Sequence, residues 1–247
     1  MASVMHRVAP LWGALLDMAF PPSCPSCREP VTAEGNFCAP CFDKLRIIAA
    51  PVCEACGIPF PVAVEAGARC AECLDTPPQF HAARAALVYD ATSAPLISAL
   101  KFHDQWAGLA RYVTLMRGAG GALFDNVDVI VPVPLHWRRM LKRRYNQSAL
   151  LAYGLGRASG LPVEPNLLQR VRFTPPQMRL DRATRLKNVV GAFAVAPHAA
   201  ARLSGKTVLL IDDVVTTGAT ANACARVMLD GGAKEVRVLA LARTVKE

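Results

Sequence analysis

Val208 to Thr220, VLLIDDVVTTGAT, is the stretch whose reading decides the fold. Val208-Leu209-Leu210-Ile211 is an unbroken apolar run, the pattern of a strand buried on both faces of a parallel sheet. The strand is expected over Val208–Asp212, so it delivers Asp212 and Asp213 to its carboxyl end. Ligands of open α/β sheets bind just beyond those ends. Val214 to Thr220 then opens a helix expected over Ala219–Asp230, which Gly231-Gly232 stops. A small, Gly-containing loop at a helix amino terminus offers free N–H groups and the positive end of the helix dipole. Hydroxyls of Thr216, Thr217 and Thr220 add further donors. The result is an anion cup sized for a terminal phosphate. Two carboxylates a few residues away can accept hydrogen bonds from vicinal hydroxyls, and the spacing matches the reach of a ribose 5-phosphate. Capping alone would explain a lone Thr-Thr-Gly; it does not explain the whole string.

Working outward, strands are expected over Ala85–Tyr89, Val127–Val133 and Val236–Ala242. Helices are expected over 94–102, 107–117 and 146–159, the last closed by Gly160. Residues 170–190 are basic, contain Pro175-Pro176 and lack a period, which reads as a long loop or excursion. Alternation of strands and helices predicts an α/β fold, a parallel sheet with helices on both faces. With 53% hydrophobic and 19% charged residues, the chain is not of the disordered class. We expect a helix over 1–22, a cysteine-rich module over 23–78 that exits through Thr76-Pro77-Pro78, and the α/β domain over 79–247.

Eight of the nine cysteines form C-x-x-C pairs: Cys24/Cys27, Cys38/Cys41, Cys53/Cys56 and Cys70/Cys73. Ten residues separate the first two pairs and thirteen the last two. Each set offers four thiolates, the ligand set of a structural zinc ion. Sequential pairing is the default, with one or two ions; an interleaved arrangement and redox C-x-x-C chemistry are the alternatives. Reduced thiols imply a reducing compartment and a cytoplasmic location. Cys224 falls in a helix and reads as a small core residue. Val8 to Phe20 is apolar but interrupted by Asp17, too short to span a membrane. It reads as a helix with Leu11, Leu15 and Met18 on its packed face.

The net charge of +9 is concentrated. From Leu135 to Asn188 twelve Lys or Arg face only Glu164 and Asp181, a local +10. Such a region points to a phosphorylated partner: a nucleotide, a sugar phosphate or nucleic acid. Aromatics suited to base stacking are sparse in the cysteine module (Phe37, Phe42, Phe60), so direct binding of single-stranded DNA there has little support.

The 208–220 string resembles the phosphoribosyl pyrophosphate (PRPP) signature of type I phosphoribosyltransferases. Val131-Pro132-Val133-Pro134-Leu135, Arg143-Arg144-Tyr145-Asn146-Gln147, Thr174-Pro175-Pro176-Gln177 and Arg185-Leu186-Lys187-Asn188 narrow the likeness. With the cysteine pairs ahead of them, they resemble the ComF/GntX family from about Phe20 to Arg243. The family's usual Arg-Gly-Phe-Asn-Gln stands here as Arg143-Arg144-Tyr145-Asn146-Gln147, without the glycine. The resemblance implies a double zinc ribbon ahead of a phosphoribosyltransferase domain. It assigns Asp212 and Asp213 to the ribose hydroxyls, as the catalytic carboxylates. It gives Thr216, Thr217, Gly218, Ala219 and Thr220 to the 5-phosphate, and Arg138 or Arg139 to the leaving group. The excursion from Arg170 to Asn188 would be a hood, and magnesium would arrive with PRPP. Candidate bases are His103 and His136, each more simply read as structural; Lys101 resembles a family position without an assignable role. The implied biology is DNA uptake or utilisation, with PRPP, single-stranded DNA and a competence protein such as a DNA-uptake helicase as candidate partners. Phosphoribosyl transfer is one reading; a non-catalytic nucleotide sensor or a DNA-binding competence factor is the other.

Overall fold

The computed structural model describes residues 21–33, 36–100, 108–136, 145–172 and 189–245. The expected amino-terminal helix therefore lies almost wholly outside the described residues. So do Lys101, His103, Arg138, Arg139, Arg143, Arg144 and most of the basic excursion.

Two one-turn helices open the described chain, α1 (Ala39–Phe42) and α2 (Ala71–Asp75). They are followed by β1 (Ala82–Val88), α3 (Ser93–Ala99), α4 (Leu109–Gly120), β2 (Val129–Pro132) and α5 (Gln147–Ser159). Then come β3 (Leu168–Arg170), β4 (Phe193–Val195), α6 (Ala200–Leu203), β5 (Thr207–Val215), α7 (Ala219–Asp230) and β6 (Glu235–Arg243). The main sheet runs β1-β6-β5-β2, and every pairing in it is parallel.

Strand alternation sends side chains to two separate cores. On one face, Val208, Leu210, Val236, Val238 and Ala240 pack with Cys224, Ala225 and Met228 of α7. On the other, Leu209, Ile211, Leu239 and Leu241 pack with Tyr112, Val113 and Met116 of α4 and Leu151 and Leu155 of α5. The α/β reading is correct, and α7 starts and stops at the expected residues. Asn146 caps α5 and Gly160 closes it in the left-handed conformation, φ 74°.

The structure corrects several boundaries. β5 continues past Asp212 to Val215 because β6 goes on pairing with it, Val215 opposite Arg243. β3 and β4 flank the excursion and pair as an antiparallel ladder from Leu168↔Val195 to Arg170↔Phe193; residues 173–188 between them lie outside the described residues. The Arg170 guanidinium lies 5.2 Å from the centroid of the Phe193 ring. Among the described residues, no helix is long and apolar enough to cross a membrane.

The cysteine-rich segment closes the free edge of β1. Ile48 N–H donates to Ala86 O at 2.9 Å, Val88 N–H to Arg46 O at 2.8 Å, and Ala83 N–H to Ala55 O at 2.7 Å. An exposed sheet edge invites pairing with another chain, so this cover matters. Gly57 makes the approach tight: it sits at φ +71°, and a Cβ there would come within 2.3 Å of Ala83 O.

Candidate functional site

The carboxylates at the end of β5 occupy different environments. Asp212 is buried, 7% exposed, and Asp213 is half-buried. Asp212 Oδ1 accepts from Ser148 Oγ at 3.2 Å and from the Asp213 N–H at 2.9 Å. Asp213 Oδ1 accepts from the Val214 N–H at 2.8 Å. Ser148 is placed by the cap of α5. The Ser148 N–H donates to Asn146 Oδ1 at 3.1 Å, while Asn146 Nδ2 donates to Val133 O at 2.9 Å. One turn of chain thus clasps the loop after β2 to the acid at the end of β5. Sequence reading missed Ser148; the Asn146-Gln147 that precedes it was the available signal.

Burial, followed by the charge of Asp213, pushes the Asp212 carboxyl well above the ordinary carboxylate range, against the pull of the Asp213 N–H and the Ser148 hydroxyl. An unfolded Asp loses its proton near pH 4. The folded chain keeps a proton that the unfolded chain releases, so this acid's stabilising contribution is lost as pH rises through the folded value. Asp212→Asn keeps the shape and removes the ionisable group, so that neither proton uptake nor a buried charge opposes folding. We expect its Tm at pH 8 to exceed wild type by about 2–4 °C, or roughly 1 kcal/mol. The gap should close toward pH 4 in thermal melts. A lower Tm for the variant at pH 8 would show that the carboxylate is stabilising instead.

The turn beyond β5 leads from Val215 directly into α7. Gly218 is the N-cap of α7 at φ 75° and makes no side-chain cap hydrogen bond itself. The Thr217 hydroxyl accepts from the Ala219 N–H at a long 3.4 Å. Thr216, Thr217, Gly218 and Thr220 are half-buried, and Ala219 is buried. Phe80 lies beneath: a Cβ on Gly218 would sit 4.0 Å from its ring. His136, the described candidate base, is 5% exposed in the loop after β2. A cavity of about 310 Å³ opens elsewhere, at the amino end of β6, lined in part by Arg69, Phe80, His81, Lys234 and Glu235. It is not the space above Asp213, because it lies at the opposite end of the strands.

The eight paired cysteines gather into two clusters in sequential sets. In Cys24/Cys27/Cys38/Cys41 and in Cys53/Cys56/Cys70/Cys73 the sulfurs lie within 4.8 Å of one another. The Cys53 sulfur accepts from the Cys70 N–H at 3.3 Å and the Cys56 N–H at 3.5 Å. Burial raises the Cys53 thiol, but these amides outweigh it and bring it down to about 7. Four converging sulfurs with amide donors to thiolate suit tetrahedral zinc. The two clusters dock differently. The first stands by α4, where the Phe37 and Tyr112 ring centroids are 6.2 Å apart and Arg111 donates to Asn36 Oδ1. The second lies against β1 and the end of β6, where Arg243 donates to Cys56 O.

Comparison with known proteins fits both halves. The double zinc ribbon family matches residues 15–74, and the phosphoribosyl transferase domain family matches residues 158–246. The DNA utilization protein YhgH of Salmonella typhimurium is 31% identical over 236 residues, covering 92% of this chain and all of the relative. The chain belongs to the ComF/GntX family. Competence protein F of Haemophilus influenzae is 30% identical over 226 residues, covering 89% of this chain and 96% of its own length. Among solved structures, adenine phosphoribosyltransferase of Saccharomyces cerevisiae is 15% identical with a TM-score of 0.33, over 60% of this chain and 73% of its own. This ComF/GntX member therefore joins a double zinc ribbon, whose two four-cysteine clusters are structural zinc sites, to a phosphoribosyltransferase-type domain.

Proposed function

We propose that this protein binds PRPP, or a related ribose 5-phosphate ligand, at the carboxyl edge of its parallel sheet, in the service of DNA uptake or utilisation. The observation that carries this reading is the turn from Asp213 to Gly218. It places a half-buried carboxylate a few residues before a left-handed glycine N-cap, which supplies no side-chain cap of its own to α7. Asp213 would accept from the ribose hydroxyls, and Asp212 would hold that segment through Ser148. The loop from Thr216 to Thr220 would donate to the 5-phosphate. Arg138 or Arg139 would face the pyrophosphate, which brings its own magnesium ion. Loss of pyrophosphate from the anomeric carbon leaves positive charge on the sugar and negative charge on the leaving group; cationic side chains would stabilise the latter. The names of the relatives support the DNA role, and a competence protein is the partner class they favour. Eight cysteines held reduced as zinc ligands suit a cytoplasmic location.

The competing reading is a nucleotide sensor without turnover, which the burial of His136 favours. Calorimetric titration of the full-length chain with magnesium and PRPP tests the pocket. Wild type is expected to bind and Asp213→Asn to lose about 10-fold or more, the scale of a lost hydrogen bond to a charged group. Absence of wild-type binding would sink both readings. Release of pyrophosphate across a panel of bases separates the enzyme from the sensor.

A further inference from the structure

The second cysteine cluster and the phosphate loop share a framework that the first cluster does not. Arg243, the last residue of β6, is 7% exposed and donates to Cys56 O, the backbone of a cluster residue. It also lies in register with Val215, the residue just before Thr216, and the next amide, Thr244 N–H, donates to Val215 O at 3.0 Å. A second route runs through the linker that leaves α2. There the Gln79 N–H donates to Asn222 Oδ1 of α7 at 2.8 Å, and the Phe80 ring packs under Gly218. Four thiolates on one zinc ion carry more negative charge than the dication cancels, so a buried guanidinium beside them is well placed. Beside the first cluster, Asn36 and Phe37 meet α4 on the other face of the sheet, and the chain leaving it pairs with β1 through the backbone of Arg46 and Ile48 rather than with Arg243 or α7.

We propose that Arg243 is a positioning residue: it ties the Cys53/Cys56/Cys70/Cys73 centre to Val215 and thereby holds the loop 216–220 in its anion-binding shape. The zinc centre of the second ribbon half is then part of the architecture of the candidate site, and that of the first half is not. The consequence for ligand binding rests on the function proposed above; the consequence for loop geometry does not. If both hold, metal at the second centre and anion at the loop strengthen each other's binding by the same factor, since coupling is reciprocal.

The test uses the full-length zinc-loaded chain. Amide exchange is followed at 216–220 in wild type, Cys27→Ser, Cys70→Ser, Arg243→Met and Arg243→Lys, with ribose 5-phosphate as the probe ligand. Exchange at 216–220 is expected to quicken roughly tenfold in Cys70→Ser and in Arg243→Met, to stay at the wild-type rate in Cys27→Ser, and to recover in part in Arg243→Lys. Arg243→Met, which keeps all eight ligands, should also release one of two zinc ions to a chromogenic chelator about tenfold faster. Ribose 5-phosphate should slow that release in wild type. Equal exchange in the two cysteine variants, or unchanged exchange in Arg243→Met, overturns the proposal. If Cys70→Ser fails to fold, Arg243→Met decides alone. The predicted exchange pattern without ribose 5-phosphate binding would uphold the coupling and remove the proposed function.

Discussion

Stripping both zinc ions is expected to unfold the cysteine-rich segment, lower the Tm by about 10 °C or more, and turn a monodisperse sample into an aggregating one. The reason lies in how little else holds that segment. Its own buried cluster is Cys53, Ala55 and Cys73, with Cys56, Ile58, Phe60 and Cys70 packed against it. Four of those seven residues are the metal ligands themselves. Its helices are single turns, α1 with four residues and α2 with five, far below the length at which a helix stands alone. Structural zinc contributes about 10–16 kcal/mol of apparent binding energy in small finger modules, which is folding energy where no core competes. Once the segment melts, the bonds from residues 46 to 55 onto β1 are lost, and a parallel sheet presents an open edge. Chelator titration with melting curves, followed by amide exchange at Ala82–Val88, checks this. An apo protein that melts at the holo temperature with β1 still protected would show that packing, not metal, holds the ribbon.

The parts of this fold that could be read from sequence are those whose signal is local. The apolar run at Val208–Ile211 is long enough to mark a buried strand, and Gly160 and Gly231 mark the ends of α5 and α7. The cysteine spacing made sequential sets the default and left an interleaved arrangement open; the fold brings the sequential sets together. What could not be read depends on distant partners. β3 and β4 have three residues each, too few for a period, and they exist because they pair with each other across the basic excursion. The length of β5 is set by β6, which pairs with it as far as Val215. Ser148 meets Asp212 from 64 positions away, and Arg243 meets Cys56 from 187. No local pattern announces such contacts. The two adjacent carboxylates looked equivalent in sequence; only the fold makes one a buried acid whose pKa burial raises and leaves its neighbour half-open. That asymmetry divides their roles. Asp212 ties the strand end to α5 through Ser148, and Asp213 stays half-exposed, as the proposed role in ribose binding requires.

Gly218→Val is expected to cost ribose 5-phosphate binding on the order of 100-fold while leaving the zinc content unchanged. Gly218 caps α7 at φ 75°, a conformation that a β-branched residue adopts only under strain of about 1–3 kcal/mol. The chain can relieve that strain by rotating the 216–218 turn toward negative φ, and rotation turns the amides away from the anion. Losing even two donors to a charged group, at roughly 1.5–3 kcal/mol each, accounts for a loss of that size. Phe80 adds a graded steric effect. A bare Cβ meets its ring at 4.0 Å, ordinary contact, so Gly218→Ala suffers the backbone strain alone and should bind more tightly than the valine variant. Both variants should keep their folds, because β5 and β6 remain paired along their length and α7 retains its buried face of Ala221, Cys224, Ala225 and Met228. Binding measured for the pair, with melting curves alongside, separates the two effects. Wild-type affinity in Gly218→Val with a lowered Tm would mean that the turn serves the helix and not an anion. A graded loss from glycine to alanine to valine, larger than any accompanying fall in Tm accounts for, is what a cup built from the amides of this turn requires.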